Sequence, residues 1–266
     1  MSYIAKSILS FLMLFFTGNA ISQTTTTEMK MIDTNFHLYL LIGQSNMAGR
    51  GVPDAESKKI NEHIFMLDSL NNWVPATDPV HFDKPAIVGV GPAISFANSM
   101  LDNNSKIKIG LIPCAIGGSP VKVWEPGAEY LNFHPYDDAI SRTQLAMKKG
   151  VLKGILWHQG ESDNDSSLSQ LYIQKLSTLI NRLRSDLKQP NIPFVAGELG
   201  YFIKADYINK IIPKLPENVS YTAVVSAKDL TDKGDQLHFN TASARELGKR
   251  YAAVMKKLQM KKELQQ

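Results

Sequence analysis

From residue 36 onward, short apolar runs alternate with longer stretches in which apolar residues recur at helical spacing. The runs at 36–42, 63–67, 107–113, 153–158, 193–197 and 221–226 predict strands. The stretches at 91–101, 136–149, 168–187, 204–213 and 241–258 predict helices. Gly154-Ile155-Leu156-Trp157 and Phe194-Val195-Ala196-Gly197 show no polar alternation, as expected of strands covered on both faces. Leu168, Leu171, Tyr172, Leu176, Leu179, Ile180 and Leu183 are spaced to line one helix face and are expected in the core. Strands that alternate with helices build βαβ units. The predicted fold is therefore α/β, a three-layer α/β/α sandwich around a central, mostly parallel sheet. Residues 69–90 carry Trp73, Pro75, Pro79 and Pro85 and are expected to form a long ordered loop beside a pocket.

The first 22 residues break this pattern. Lys6 precedes the apolar run 8–16, and Ala20 and Ser22 sit before Gln23. The run is short for a membrane span and is followed by small residues, the pattern of a cleaved signal peptide. Residues 1–22 are thus expected to direct secretion or periplasmic export, with no membrane attachment of the mature chain. Residues 23–35 are expected to form a flexible lead-in, 36–258 a single domain and 259–266 a polar tail. Cys114 is the only cysteine, so no internal disulfide is possible. A net charge of +4, spread along the chain, argues against nucleic acid as a partner.

Chemistry concentrates where the predicted strands end. Ser45 follows the first strand within Gly43-Gln44-Ser45-Asn46-Met47; Gly117-Gly118-Ser119 follows the third; Gln159-Gly160-Glu161 follows the fourth; Asp235 and His238 follow the last. In open parallel sheets that edge binds ligands. Serine needs a base to take its proton, and His238 is the candidate. Asp235, three residues earlier, is placed to hold the imidazole tautomer. A tetrahedral ester intermediate also needs aligned donors. The backbone N–H groups of Ser45 and Gly118 and the side-chain amide of Gln159 are the candidate oxyanion hole.

Together the four motifs resemble the sialate O-acetylesterase / carbohydrate esterase family 6 branch of the SGNH hydrolases, over about residues 36–256. Gln44 and Gln159 replace the Asp and Asn of the wider SGNH pattern, as is typical of this branch. The resemblance implies the SGNH, flavodoxin-like form of the sandwich. It also implies a secreted serine esterase that removes O-acetyl groups from carbohydrate, such as acetylated xylan or O-acetylated sialic acid. It selects Gly118 over Gly117 and supports an importance for Glu161 without fixing its role, either as a supporting acid near His238 or as a partner of the Ser45 loop. The competing expectations are an esterase or lipase for non-sugar esters, and an inactive carbohydrate-binding protein on the same scaffold.

Several residues have plainer readings. Arg50 is placed to hold Glu161, the loop after Ser45, or a surface carboxylate. His158 is a competing base, but strand alternation points it away from the face of Gln159. Cys114 lies in an apolar run and reads as an inert thiol. Trp73, Trp124 and Tyr130 are candidates either for stacking on sugar rings or for the core. No metal-ligand or phosphate-loop motif occurs, so neither a metal nor a cofactor is expected.

Overall fold

The computed structural model describes residues 31–102, 104 and 106–263. The signal peptide expected at 1–22, and the lead-in as far as residue 30, lie outside the described residues. The strands are β1 (Phe36–Gly43), β2 (Ile64–Leu67), β3 (Trp73–Pro75), β4 (Lys108–Pro113), β5 (Val151–His158), β6 (Phe194–Gly197) and β7 (Thr222–Val225). The α-helices are α1 (Ser45–Ala48), α2 (Ala93–Leu101), α3 (Pro135–Ala146), α4 (Tyr172–Asp186), α5 (Tyr207–Ile211), α6 (Leu215–Asn218) and α7 (Thr241–Glu263). The seven strands form one sheet in the order β3-β2-β4-β1-β5-β6-β7. Every pairing is parallel except β2 with β3.

Alternation along β1 creates the three layers. Leu38, Leu40 and Ile42 pack into one core with Tyr136 and Ala139 of α3 and Leu176, Ile180 and Leu183 of α4. Tyr39 and Leu41 enter a second core with Phe96 of α2 and Leu247, Tyr251 and Met255 of α7. Successive side chains of a strand point to opposite faces, so an all-apolar strand is buried on both. The centre of β1 pairs Leu40 with Ile112 on one side and with Ile155 on the other. That central place fixes the end of β1 rigidly.

The predicted three-layer α/β/α fold with its mostly parallel sheet is the fold observed. Four details differ. β3 lies inside the segment read as a loop; its Trp73 packs edge-on against Phe36, 4.8 Å between ring centroids. The helix predicted at 168–187 opens with a 3-10 turn at Leu168–Leu171 before α4 begins. A 3-10 turn has three residues per turn, so it breaks the helical phase. Leu168 and Leu171 are exposed, contrary to expectation, whereas the other five residues of the stripe are buried. The helix expected at 204–213 is shorter, ends in a 3-10 turn at Ile212–Lys214 and is followed by α6. α7 runs past the helix expected at 241–258, to Glu263, and Gln259 Nε2 donates to the Lys153 carbonyl at 3.0 Å.

Among the described residues, no helix is long and apolar enough to cross a membrane.

Candidate active site

β1 ends in Gly43 at φ +127°, where any side chain would run into the backbone of His158. Only glycine allows β1 and β5 to close this tightly at their ends. The chain then turns through Gln44 into α1, which starts at Ser45. Ser45 sits at the C-terminal edge of the central strand, buried except for a sliver of surface. The segment 235–238 follows β7 and precedes α7, whose first turn is capped by Asn240 Oδ1 accepting from Ser243 N at 2.9 Å.

These elements bring Ser45, His238 and Asp235 into one line. His238 Nε2 lies 3.1 Å from Ser45 Oγ, and His238 Nδ1 lies 2.7 Å from Asp235 Oδ2. Asp235 Oδ1 accepts from the backbone N–H groups of Leu237 at 3.0 Å and His238 at 2.8 Å. One carboxylate thus fixes both the turn and the ring. Desolvation pushes the Asp235 carboxyl up, but the backbone and imidazole bonds outweigh it and bring it down to about 2. Burial lowers the His238 pKa below the usual histidine value, opposed by Asp235. With Nδ1–H donating to an ionised Asp235, Nε2 is an acceptor aimed at the Ser45 hydroxyl.

The oxyanion candidates separate. Neither Ser45 N nor Gly118 N donates to another protein group among the described residues. Gly118 adopts φ +85°, and its carbonyl is held by Tyr130 Oη at 2.9 Å and Ser162 Oγ at 2.9 Å, which sets the plane of the loop. Gln159 is different. It is fully buried, and its Nε2 faces Asp163 Oδ2 at 2.6 Å, Gln44 Oε1 at 3.1 Å and the Ser119 carbonyl at 3.1 Å. Two N–H groups already serve three acceptors. As placed, the Gln159 amide ties the Ser45 turn to the 119 and 163 segments, and the oxyanion role expected of it competes with these three acceptors. The substitutions of Gln at 44 and 159 make one contact, amide to amide.

Glu161 is half-buried and accepts from Asn46 Nδ2 at 2.6 Å. Desolvation pushes its carboxyl up to about 7, against the bond from Asn46. Arg50 reaches neither Glu161 nor a surface carboxylate. It is buried, pairs with Asp83 Oδ2 at 2.7 Å and donates to the Gly49 carbonyl at 2.7 Å. Asp83 Oδ2 also accepts from Gly117 N at 2.8 Å, so this pair holds the loop leading to Gly118. Sequence reasoning missed Asp83, because a lone aspartate in an irregular segment carries no periodic signal. It also left Asp163 without a role, although that residue accepts from Val121 N at 2.8 Å as well as from Gln159.

The remaining candidates fall into place. His158 is fully buried, its Nδ1 is 3.0 Å from Tyr251 Oη, and burial lowers its pKa to about 3; it lies on the opposite face from Gln159. Burial pushes the Cys114 thiol up to about 11, leaving no reactive thiolate. Trp124 is a core residue bonded to Ser119 Oγ, and Trp73 belongs to β3. Of the three aromatic candidates, Tyr130 alone touches the site. No group of three or more His, Cys, Asp or Glu suited to a metal ion occurs among the described residues.

Comparison with known proteins gives the family and agrees with the fold. Residues 35–257 match the family described as carbohydrate esterase, sialic acid-specific acetylesterase. A probable carbohydrate esterase of Arabidopsis thaliana is 34% identical over 233 residues, covering 79% of this chain and 86% of the relative. The X-ray structure of that Arabidopsis protein superposes with a TM-score of 0.75 at 33% identity, over 85% of this chain and 99% of the other. NanS (TM-score 0.65, 18% identity, 87% and 100% covered) shares the fold. So does a carbohydrate acetylesterase from Xanthomonas citri (0.64, 18%, 84% and 56% covered). The chain belongs to the sialic acid-specific acetylesterase family of carbohydrate esterases.

Proposed function

We propose that the protein is a serine hydrolase that removes O-acetyl groups from carbohydrate hydroxyls. The observation that carries this reading is the unbroken contact line from Asp235 through His238 to Ser45, at 2.7 and 3.1 Å. His238 Nε2 takes the proton from Ser45 Oγ as the oxygen attacks the acetyl carbonyl. The carbonyl oxygen becomes an oxyanion, received by the N–H groups of Ser45 and Gly118. When the tetrahedral intermediate collapses, His238 returns the proton to the leaving sugar oxygen, and the acetyl group stays on Ser45. Water, deprotonated by His238, then attacks the acetyl carbon, and His238 returns the proton to Ser45 Oγ as the acyl–serine bond breaks and acetate leaves. Asp235 stabilises the imidazolium that forms in both steps. An intact set of these residues weighs against an inactive sugar-binding protein.

The substrate class comes from the family; the glycan is chosen by experiment. Acetate release from acetylated xylan and from O-acetylated sialic acid, measured side by side, separates the two proposed substrates. Failure on both, with rapid cleavage of long-chain esters, would favour the esterase or lipase reading. Export rests on residues 1–22, and a mature N-terminus at Gln23 in culture fluid or periplasm is its test.

A further inference from the structure

The residue after Ser45 grips the loop that carries His238. Asn46 is buried, and its side-chain amide is fully used. Nδ2 donates to Glu161 Oε1 at 2.6 Å and to the Leu237 carbonyl at 3.0 Å, while Oδ1 accepts from Phe239 N at 3.1 Å. Leu237 and Phe239 are the two neighbours of His238. One side chain on the nucleophile's helix therefore holds the base's backbone on both sides of the base.

The rest of that loop is bonded mainly to itself. Asp232 Oδ2 accepts from Gly234 N and Gln236 N, Lys233 N donates to the His238 carbonyl, and Asn240 Nδ2 donates to Thr231 Oγ1. Residues 233–237 are exposed. The long-range ties next to His238 are the Asn46 amide and the buried Phe239 ring, which packs against Phe202 and His158.

We propose that Asn46 and Glu161 form a clasp that positions His238 on Ser45, with Asn46 holding the loop and Glu161 fixing which way the amide faces. Turning the amide over would set Oδ1 against two oxygens, those of Glu161 and Leu237, and Nδ2 against the Phe239 N–H. Glu161 supplies the acceptor that makes the observed orientation the satisfied one. This needs an oxygen at Oε1, not a negative charge. Oε2 makes no direct hydrogen bond, and the backbone N–H groups of Gly160 and Glu161 lie beside the carboxyl, so a glutamine at position 161 presents the same acceptor when its Oε1 faces Asn46. Asn46 and Glu161 are thus positioning residues, and the proposal rests on the reading of Ser45 and His238 as the catalytic pair.

Misplacement of a reacting group by about 1 Å costs on the order of 10²-fold in rate. Asn46→Ala is expected to lower kcat on a small acetate ester by roughly 10- to 100-fold with KM nearly unchanged. Its pH–rate limb should move up toward the ordinary histidine value, because a released loop exposes His238 to water. Glu161→Ala should match Asn46→Ala, the double variant should be no worse than either, and Glu161→Gln should recover most of the lost rate. A purely structural role would lower Tm without moving the pH limb. Wild-type kcat and pH limb in Asn46→Ala would overturn the clasp. So would a folded Glu161→Gln as slow as Glu161→Ala, which would make the charge itself part of the chemistry. Should Asn46→Ala fail to fold, Glu161→Ala against Glu161→Gln decides: a slow alanine variant with a fast glutamine variant supports the clasp, and two equally fast or equally slow variants overturn it. Ser45→Ala, assayed in parallel, separates the two failures: if it stays active the catalytic reading falls, and if it is dead while Asn46→Ala is fully active only the clasp falls.

Discussion

His238 Nε2 stands 3.1 Å from Ser45 Oγ although the two residues are 193 positions apart in the chain. The contact is made by the turn off the central strand β1 and the loop that leads into α7. Asp235, on the same loop as His238, completes the line without any further element.

The first expectation concerns the base. His238→Ala should lower the rate by about 10²–10⁴-fold, the usual range for general-base assistance, and Asp235→Asn should do less or the same. Burial lowers the His238 pKa, so the neutral base is present down to a lower pH than for a free histidine. The rate should therefore rise with pH through an apparent pKa below about 6.5. A rate flat from pH 5 to 8 would contradict histidine as the base.

A second expectation separates the oxyanion donors. Gly118→Ala places a Cβ at a left-handed φ and 3.0 Å from Tyr130 Oη, so the N–H must shift. Loss of one aligned donor costs about 2.7–4 kcal/mol of transition-state stabilisation, which should fall on kcat. Gln159→Ala should act mainly on stability, because it strips buried partners from Asp163, Gln44 and the Ser119 carbonyl, at about 1–3 kcal/mol per orphaned group. Loss of kcat with unchanged Tm in Gln159→Ala would make Gln159 a direct donor. Thermal melts beside steady-state kinetics decide this.

The buried pair Arg50–Asp83 gives a third. Asp83→Ala leaves a buried guanidinium unpaired and frees Gly117 N, so it should destabilise by about 3–5 kcal/mol. Denaturant unfolding of wild type and variant measures this; a change under 1 kcal/mol would show that the pair carries little.

The fourth is a pH dependence of stability. The folded Glu161 carboxyl is raised from an ordinary 4.5 to about 7, so between these values the native state holds the proton more firmly than the unfolded chain. Stability from this group is present below about 4.5 and is lost as pH rises to about 7, by up to about 3 kcal/mol. Glu161→Gln should flatten that part of the stability–pH curve. An unchanged slope would mean that Glu161 is ionised throughout.

Acyl length supplies a fifth. An enzyme shaped for acetate gains about 0.8 kcal/mol per further buried methylene only where the pocket has room, and loses more where it does not. kcat/KM on nitrophenyl esters should fall from acetate to butyrate and nearly vanish at octanoate. A rise along the series would favour the lipase-like alternative.

The layers of the fold were legible because β1, β5 and β6 are apolar on both faces, a pattern that only a covered parallel sheet explains. That Ser45, Asp235 and His238 meet at one edge was legible because each lies just beyond a strand, where a doubly wound sheet gathers its ligands. What was hidden depends on tertiary contact. β3 is three residues long and owes its place to pairing with β2 and to Trp73 against Phe36. Asp83 and Asp163 act through single buried bonds to loops far away in sequence. The partners of Gln159 were hidden too: its type suits an oxyanion donor, while the three acceptors around its Nε2 are set by the packing of three loops.

The most direct measurement is the site of covalent labelling by an organofluorophosphate, read by peptide mass spectrometry together with the acetate-ester activity of Ser45→Ala. Stoichiometric label on Ser45 alone, loss of hydrolysis in step with labelling, and a folded but inactive Ser45→Ala are expected. Label on another residue, or substantial hydrolysis by folded Ser45→Ala, would contradict Ser45 as the nucleophile.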